Sequence, residues 1–395
     1  MGISKKVRGA LEQGSWIRRM FEDGIKLKEE FGADNVFDLS LGNPVMQPPK
    51  EFYEKLSTLV SSPNPGMHRY MPNAGYFETR DAVAVSLEEE FNFSFHADDI
   101  VMTVGAGGAL NVIFKALLDP KDEVVLLSPY FVEYRLYVDN HGGSSIVVPP
   151  NDDFLPDLQA LRESLNEHTK VLLINSPNNP TGVLYPEGTI KEIIKLVHEA
   201  EERFDSEIYI VSDEPYRKII FDNFEYPNVF ELHNRYIVAT SHSKDLALPG
   251  ERIGYIAVHP KIDNKSELVD ALIFCNRSLG FVNAPALMQH VVGSLQSVTV
   301  DVGEYQKKRD FLYPKLIDMG YEIVKPNGAF YMFPRCPIED DVKFTEELSN
   351  HKVLVVPGRG FGLPGYFRLS YCLEDNILEG SLAGFEAAIS KYRNS

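Results

Sequence analysis

The sequence predicts an α/β fold with two domains, on three observations. Short apolar runs alternate with helix-length amphipathic stretches through the middle of the chain. The runs are continuously apolar, which fits a mostly parallel sheet covered on both faces, because neither face then meets water. At 395 residues, the chain is also longer than one hydrophobic core usually serves.

The strand candidates, in order, are Ile100 to Val104, Glu123 to Leu127, Val171 to Ile174, Ile208 to Val211 and Tyr236 to Ala239. Helices are expected between them at 107–118, 157–165 and 187–203. In such sheets, ligands gather beyond the carboxyl ends of the strands. After about residue 300 the texture changes. A long helical segment, about 300–319, leads to short strands at Phe330 to Phe333, Val353 to Val356 and Phe367 to Ser370. This reads as a second, smaller α/β unit.

Composition narrows the function. A chain that is 44% apolar and 24% charged has the balance of a globular protein. A net charge of −18 disfavours nucleic acid and anionic membranes as partners, so positive charge for an anionic ligand must be placed locally. The three cysteines, Cys275, Cys336 and Cys372, are widely spaced and follow no metal-ligand pattern. Free thiols of this kind suit a reducing cytoplasm. No apolar stretch is long enough for a membrane span, and no signal-peptide core is expected at the N-terminus.

The most informative segment is Ser241-His242-Ser243-Lys244, followed by Pro249-Gly250-Glu251-Arg252-Ile253-Gly254-Tyr255. A lysine just past an apolar strand is partly desolvated, and a neutral amine attacks a carbonyl to form a Schiff base. Ser241, Ser243 and Arg252 supply hydroxyl and guanidinium donors for a phosphate. An aldehyde that carries a phosphate describes pyridoxal phosphate. Ser-x-Ser-Lys alone would suit an ordinary surface loop; the whole pattern through Tyr255 is far more specific.

Four other clusters follow strands. Asp213 opens Asp213-Glu-Pro-Tyr216; a carboxylate there suits a helix N-cap or a cationic partner such as a protonated pyridine nitrogen. Ser176-Pro-Asn-Asn-Pro-Thr-Gly182 forms a stiff turn carrying the amide of Asn179. Gly105-Ala106-Gly107-Gly108 opens a helix, where small residues let backbone N–H groups approach a phosphate. A dinucleotide fold would also use such a turn, but it wants an acid at the tip of the next strand, and that strand ends in Ser128-Pro129-Tyr130-Phe131. Finally, Arg368 lies on Tyr366-Phe-Arg-Leu-Ser-Tyr371, read as a half-buried strand with Tyr366, Arg368 and Ser370 on one face. Its planar fork suits a carboxylate, although an edge-strand arginine could equally face solvent.

These motifs, from about residue 37 to about residue 372, resemble the class I/II aminotransferases, pyridoxal-phosphate enzymes of fold type I. The resemblance implies a three-layer α/β/α domain with a mostly parallel seven-stranded sheet over 47–299. It also implies a small α/β domain over 300–395, with residues 1–46, including the helix around Trp16 to Phe31, packing against it. It implies transfer of an amino group between an L-amino acid and a 2-oxo acid, with Lys244 bound to the cofactor and acting as general base and acid. Asp213 would pair with the ring nitrogen, Tyr216 and Asn179 would contact the phenolic oxygen, and Phe131 would stack on the ring. Gly105, Ala106, Gly107, Ser241, Ser243 and Arg252 would hold the phosphate. Gly42 and Arg368 would meet the substrate carboxylate, with Asn179 beside it. Tyr70 would reach the phosphate of a partner subunit in a homodimer. Cis peptide bonds are expected at Ser128-Pro129 and Asn179-Pro180. Neither usual device for a second substrate carboxylate is clearly present: Gly107 stands where some relatives carry lysine, and Ser278, beside Arg277, where others carry arginine. A carbon–sulfur β-lyase on the same scaffold is the alternative.

Overall fold

The computed structural model describes residues 2–13 and 15–393; side chains at position 10, over 12–21 and at 23 lie outside the described set. The chain divides into two compact units. One comprises Met46–Gly303 with Asn327–Ala329; the other comprises the chain up to Val45, Glu304–Pro326 and Phe330–Ser395.

The first unit is built on a seven-stranded sheet. Across the sheet the strands run Ile100–Thr103, Gly254–Val258, Tyr236–Ser241, Tyr209–Asp213, Thr169–Asn175, Glu123–Leu127 and Ser144–Val148. All pairings are parallel except those of Gly254–Val258, which runs antiparallel to both its neighbours. The strands at 144–148 and 254–258 go beyond the five that the apolar runs picked out. Ser144–Val148 is a partly exposed edge, and Gly254–Val258 follows the Arg252 loop too closely to stand out as a separate run.

The helices form where apolar residues recur at helical spacing. Glu187–Phe204 buries Ile190, Ile193, Ile194, Val197 and Ala200, one stripe of a helix, and ends at Asp205 in the left-handed region. Leu158–Ser164 is started by Asp157, whose side chain accepts from the backbone of Gln159 and Ala160. Gly105–Leu117 packs Ala109, Leu110, Ile113 and Phe114 against Leu126, Ile237 and Tyr134 in the main core. Full burial of each large side chain there contributes about 1.5–3 kcal/mol, and Phe114→Ala would cost about 3–5 kcal/mol.

Register decides what meets at the strand ends. Asn175 pairs with Asp213, Asp213 with Ala239, and Gly254 with both Thr103 and Ser241. Because Gly254–Val258 runs the opposite way, its start lies where its neighbours finish. Arg252 is thereby delivered to the same sheet edge as Asp213 and Ser241.

In the second unit, Val356–Pro357, Phe367–Ser370 and Tyr331–Met332 make an antiparallel sheet, while Phe37–Asp38 pairs in parallel with Val353–Leu354. Phe367–Ser370 coincides with its apolar run, whereas the run Phe330 to Phe333 forms a strand only over Tyr331–Met332 and the run Val353 to Val356 splits into two short strands. Phe344, Phe367, Phe385 and Tyr321 form its aromatic core. The helix Ser15–Phe31 approaches this core through Gly24, where an added Cβ would lie 2.8 Å from Leu354. The side chain of Trp16 lies outside the described residues.

Two expectations need correction. The cis bonds are at Ser128-Pro129 and Ser176-Pro177, not at Asn179-Pro180. The chain reverses through a closed turn in which Asn178 Oδ1 accepts from both the N–H and the hydroxyl of Thr181, and Gly182 donates to Asn178 O. That turn needs no cis bond at Pro180. The strand carrying Arg368 is also buried on both faces, not half-buried, because sheet neighbours and the aromatic core cover it.

Candidate active site

Three groups of side chains gather, two in the larger unit and one in the smaller. The first is a cradle of small residues in the larger unit. Gly105 has φ +77°, and a Cβ there would lie 2.8 Å from Arg252 Nη2. A Cβ on Gly254 would lie 2.2 Å from Thr240 O and 3.0 Å from the Cα atoms of both Gly105 and Ser241. Ser241 and Ser243 are buried, and their hydroxyls are 3.0 Å apart. Arg252, itself left-handed at φ +53°, is held by Pro249 O at 2.8 Å and Val104 O at 3.4 Å. The helix beginning Gly105-Ala106-Gly107 presents backbone N–H groups without intrahelical partners. Gly107 lies beside Tyr137, whose hydroxyl would be 3.1 Å from an added Cβ. Two serines, an arginine and a helix N-terminus are the chemistry of a phosphate site.

The second group surrounds Asp213. The Tyr134 hydroxyl donates to Asp213 Oδ2 at 2.5 Å. Asp213 Oδ1 is buried with no hydrogen-bond partner among the described residues. Burial pushes this carboxyl up to about 7; the Tyr134 hydrogen bond pulls it down and the Glu214 charge pushes it further up. A buried carboxylate with one bare oxygen is poised for a cationic donor. Asn175 ties the neighbouring turn to it, donating to Asp213 O at 2.8 Å while accepting from the Asn179 N–H at 2.8 Å. Phe131 packs edge-on against Tyr134, and Tyr216 is buried in the segment that follows Asp213. Lys244 is partly buried in the loop after Ser241. That loop is braced from behind, where Asp245 Oδ2 meets His242 Nδ1 at 3.1 Å and Thr240 donates to Glu214 O at 2.9 Å.

The third group lies in the smaller unit. Arg368 is buried, with its Nη2 donating to Ser40 O at 2.6 Å. Its guanidinium carbon lies 4.8 Å from the Tyr331 ring centroid and 4.7 Å from that of Phe361. A Cβ on Gly42 would collide with the Tyr331 hydroxyl at 1.8 Å, so only glycine fits there. Gly42, Arg368, Tyr331 and Phe361 thus form one cluster.

One expected participant, Tyr70, stands apart from these clusters, and so do Arg277 and Ser278, which are not expected to take part. Tyr70 is 91% exposed. Arg277 lies over Phe274, with Ser278 donating to Cys275 O. Sequence reasoning missed Tyr134, Asn175, Tyr331 and Phe361. Tyr134 stands three residues after Phe131 and Asn175 is the last residue of its strand, which were usable signals. Phe361, in Gly358-Arg-Gly-Phe361, carries no local signal.

The Aminotransferase class I and II family model matches residues 34–380. The chain belongs to the class I and II aminotransferases. A probable aspartate aminotransferase of Methanocaldococcus jannaschii is 33% identical over 89% of this chain and 92% of its own. The aspartate/prephenate aminotransferase of Thermus thermophilus is 31% identical over 99% of both. Among solved structures, an aminotransferase of Eubacterium rectale superposes with a TM-score of 0.96 at 38% identity over the whole of both chains. Thermus thermophilus aspartate aminotransferase with maleate gives 0.85 at 27% identity, covering 98% of this chain and all of that one. As a member of the family, this aminotransferase is pyridoxal-phosphate-dependent and transfers amino groups between amino acids and 2-oxo acids. The bare Asp213 oxygen and the cradle closed to any Cβ are consistent with that cofactor.

Proposed function

We propose that Lys244 holds the aldehyde of pyridoxal phosphate and that an L-amino acid displaces it as amino donor. The observation that carries this reading is Asp213, a buried acid with one oxygen held by Tyr134 and the other bare. When bound, the cofactor supplies an electron sink for the bond that breaks at the substrate Cα. Asp213 keeps the ring nitrogen protonated, Phe131 covers the ring, and Tyr216 with Asn179 favours the ionised phenolic oxygen. Gly105, Ala106, Gly107, Ser241, Ser243 and Arg252 hold the phosphate. Arg368 beside Gly42 clamps the α-carboxylate, fixing which Cα bond is weakened, and Asn179 is a further substrate contact. The Lys244 amine, when free, would serve as the base and acid for the Cα proton.

The larger unit, read as 47–299, would be the cofactor domain; 300–395 with residues 1–46 would be the smaller domain. The exposure of Tyr70, with Phe77 at 58% and Val60 at 66%, supports a homodimer in which Tyr70 completes a partner's phosphate site. Three buried free cysteines suit a cytoplasmic enzyme, and the aminotransferase family suggests a role in amino-acid biosynthesis. No helix among the described residues is long and apolar enough to cross a membrane.

The relatives' names favour transamination over β-elimination and make aspartate the first donor to try. A screen of donors against 2-oxoglutarate and pyruvate tests this. Amino transfer to the oxo acid is expected; pyruvate and ammonia released without an acceptor would identify a lyase instead.

A further inference from the structure

His198 and Glu201 lie three apart on the helix Glu187–Phe204 and share a face of it. His233 follows the short turn Val229–Glu231 and precedes the strand Tyr236–Ser241. The ligating atoms of these three side chains all lie within 4.8 Å of one another. Burial grades across the cluster: His198 is exposed, Glu201 intermediate and His233 buried.

The hydrogen bonds around the cluster have a definite sense. His198 Nε2 and His233 Nδ1 are 3.0 Å apart. His233 Nε2 lies 3.4 Å from the carbonyl oxygen of Ile208, which can only accept. His233 therefore carries its proton on Nε2 and turns the Nδ1 lone pair toward His198. A ring N–H donated to a backbone carbonyl is the usual support for a metal-ligating histidine, since it fixes the tautomer. Glu201 is also braced. Ile208 N at 2.9 Å, Arg235 Nε at 2.9 Å and Arg235 Nη2 at 2.7 Å all donate to Oε1. Among the described residues none of these donors falls on Oε2, which stays available as a ligand.

We propose that His198, Glu201 and His233 bind a divalent transition-metal ion of the zinc type, with water in the fourth position. Two nitrogens 3.0 Å apart subtend about 95° at an ion held by bonds of about 2.05 Å, and parting to about 3.3 Å gives the tetrahedral angle. Ligation requires His198 to carry its proton on Nδ1, an exchange with solvent that leaves the ring neutral. Imidazole donors select zinc, cobalt or nickel over magnesium and calcium, which want oxygen. His233 precedes Tyr236, and Ile208 precedes Tyr209, so the cluster lies at the strand starts. Lys244 and Asp213 lie at the strand ends. The ion therefore ties the helix to the chain entering the sheet without touching the reacting atoms.

The test is a titration of the cofactor-loaded full chain with Zn²⁺, and separately with Mg²⁺, followed by calorimetry, thermal melting and transamination rate. One Zn²⁺ per chain, a raised melting temperature, an unchanged rate and no response to Mg²⁺ are expected. His198→Ala, an exposed change that leaves the core intact, and Glu201→Gln should each weaken Zn²⁺ binding by roughly tenfold or more. Three results would overturn the proposal: no saturable Zn²⁺ binding, undiminished binding in both variants, or inhibition that tracks binding equally in wild type and His198→Ala.

Discussion

Asp213 and Arg368 are almost equally buried, at 6% and 8% exposure, yet the two units manage these opposite charges differently. The carboxylate is half satisfied: one oxygen takes the Tyr134 hydroxyl and the other has no donor among the described residues. The guanidinium carbon lies within 4.8 Å of two ring centroids, those of Tyr331 and Phe361, and its Nη2 donates to Ser40 O. A carboxylate is strongly hydrated and is stabilised by hydrogen bonds, so a missing donor costs it heavily and raises its pKa. A guanidinium is weakly hydrated and planar, so aromatic faces can replace water over it while its edge keeps its donors. The first arrangement demands a cation to complete it; the second presents a preformed fork.

Four variants test that contrast, the largest effect first. Lys244→Ala, which removes the amine proposed to carry the cofactor, should lower transamination by about 10⁴-fold, the upper end for a lost acid–base group. Borohydride reduction followed by peptide mapping should place the pyridoxyl group on Lys244 in the wild type, and label on another lysine would sink the assignment.

Asp213→Asn should keep cofactor but lose roughly a hundredfold to several thousandfold in rate, because breaking a buried ion pair costs about 3–5 kcal/mol. The same residue gives a pH signature in the cofactor-free protein. Its folded pKa, about 7, lies above its ordinary value of 3.8, so the folded state holds the proton more tightly. The resulting stabilisation is fully present below about 3.8 and is lost as pH rises through about 7. Denaturant midpoints measured from pH 4 to 8 should show this slope in the wild type and lack it in Asp213→Asn. Identical slopes would mean that Asp213 is satisfied in the cofactor-free state.

Arg368→Lys keeps the charge but loses the fork, and should weaken amino-acid substrates about tenfold to a hundredfold, for about 1.5–3 kcal/mol. Amines without a carboxylate should be insensitive. Equal losses for amines and amino acids would make Arg368 a support of the fold. The smallest change is expected from Phe361→Leu, which removes one ring face worth about 0.5–2 kcal/mol. The KM for amino acids should rise several-fold with kcat and cofactor absorbance unchanged; a fall in kcat alone would show that the ring does not act through Arg368.

Much of this protein was written locally. Continuous apolar strands, the stripe of Ile190, Ile193, Ile194 and Val197, and the Asp157 cap specify their elements through near neighbours, and the structure has them. The candidate residues Lys244, Asp213, Asn179 and Arg252 could be picked out because each lies in a short pattern beside a strand end. Partners from distant segments could not. Tyr134 reaches Asp213 across 79 residues and Arg368 reaches Ser40 across 328. Phe361 finds Arg368 only through the fold of a glycine-rich loop. The reversed direction of Gly254–Val258, which carries Arg252 to Gly105, is equally silent in the sequence. Local patterns set which residues can be helix, strand or turn, because those preferences depend on residues a few positions apart. Which side chains touch depends on strand order and register across the whole sheet, and only the tertiary structure fixes those.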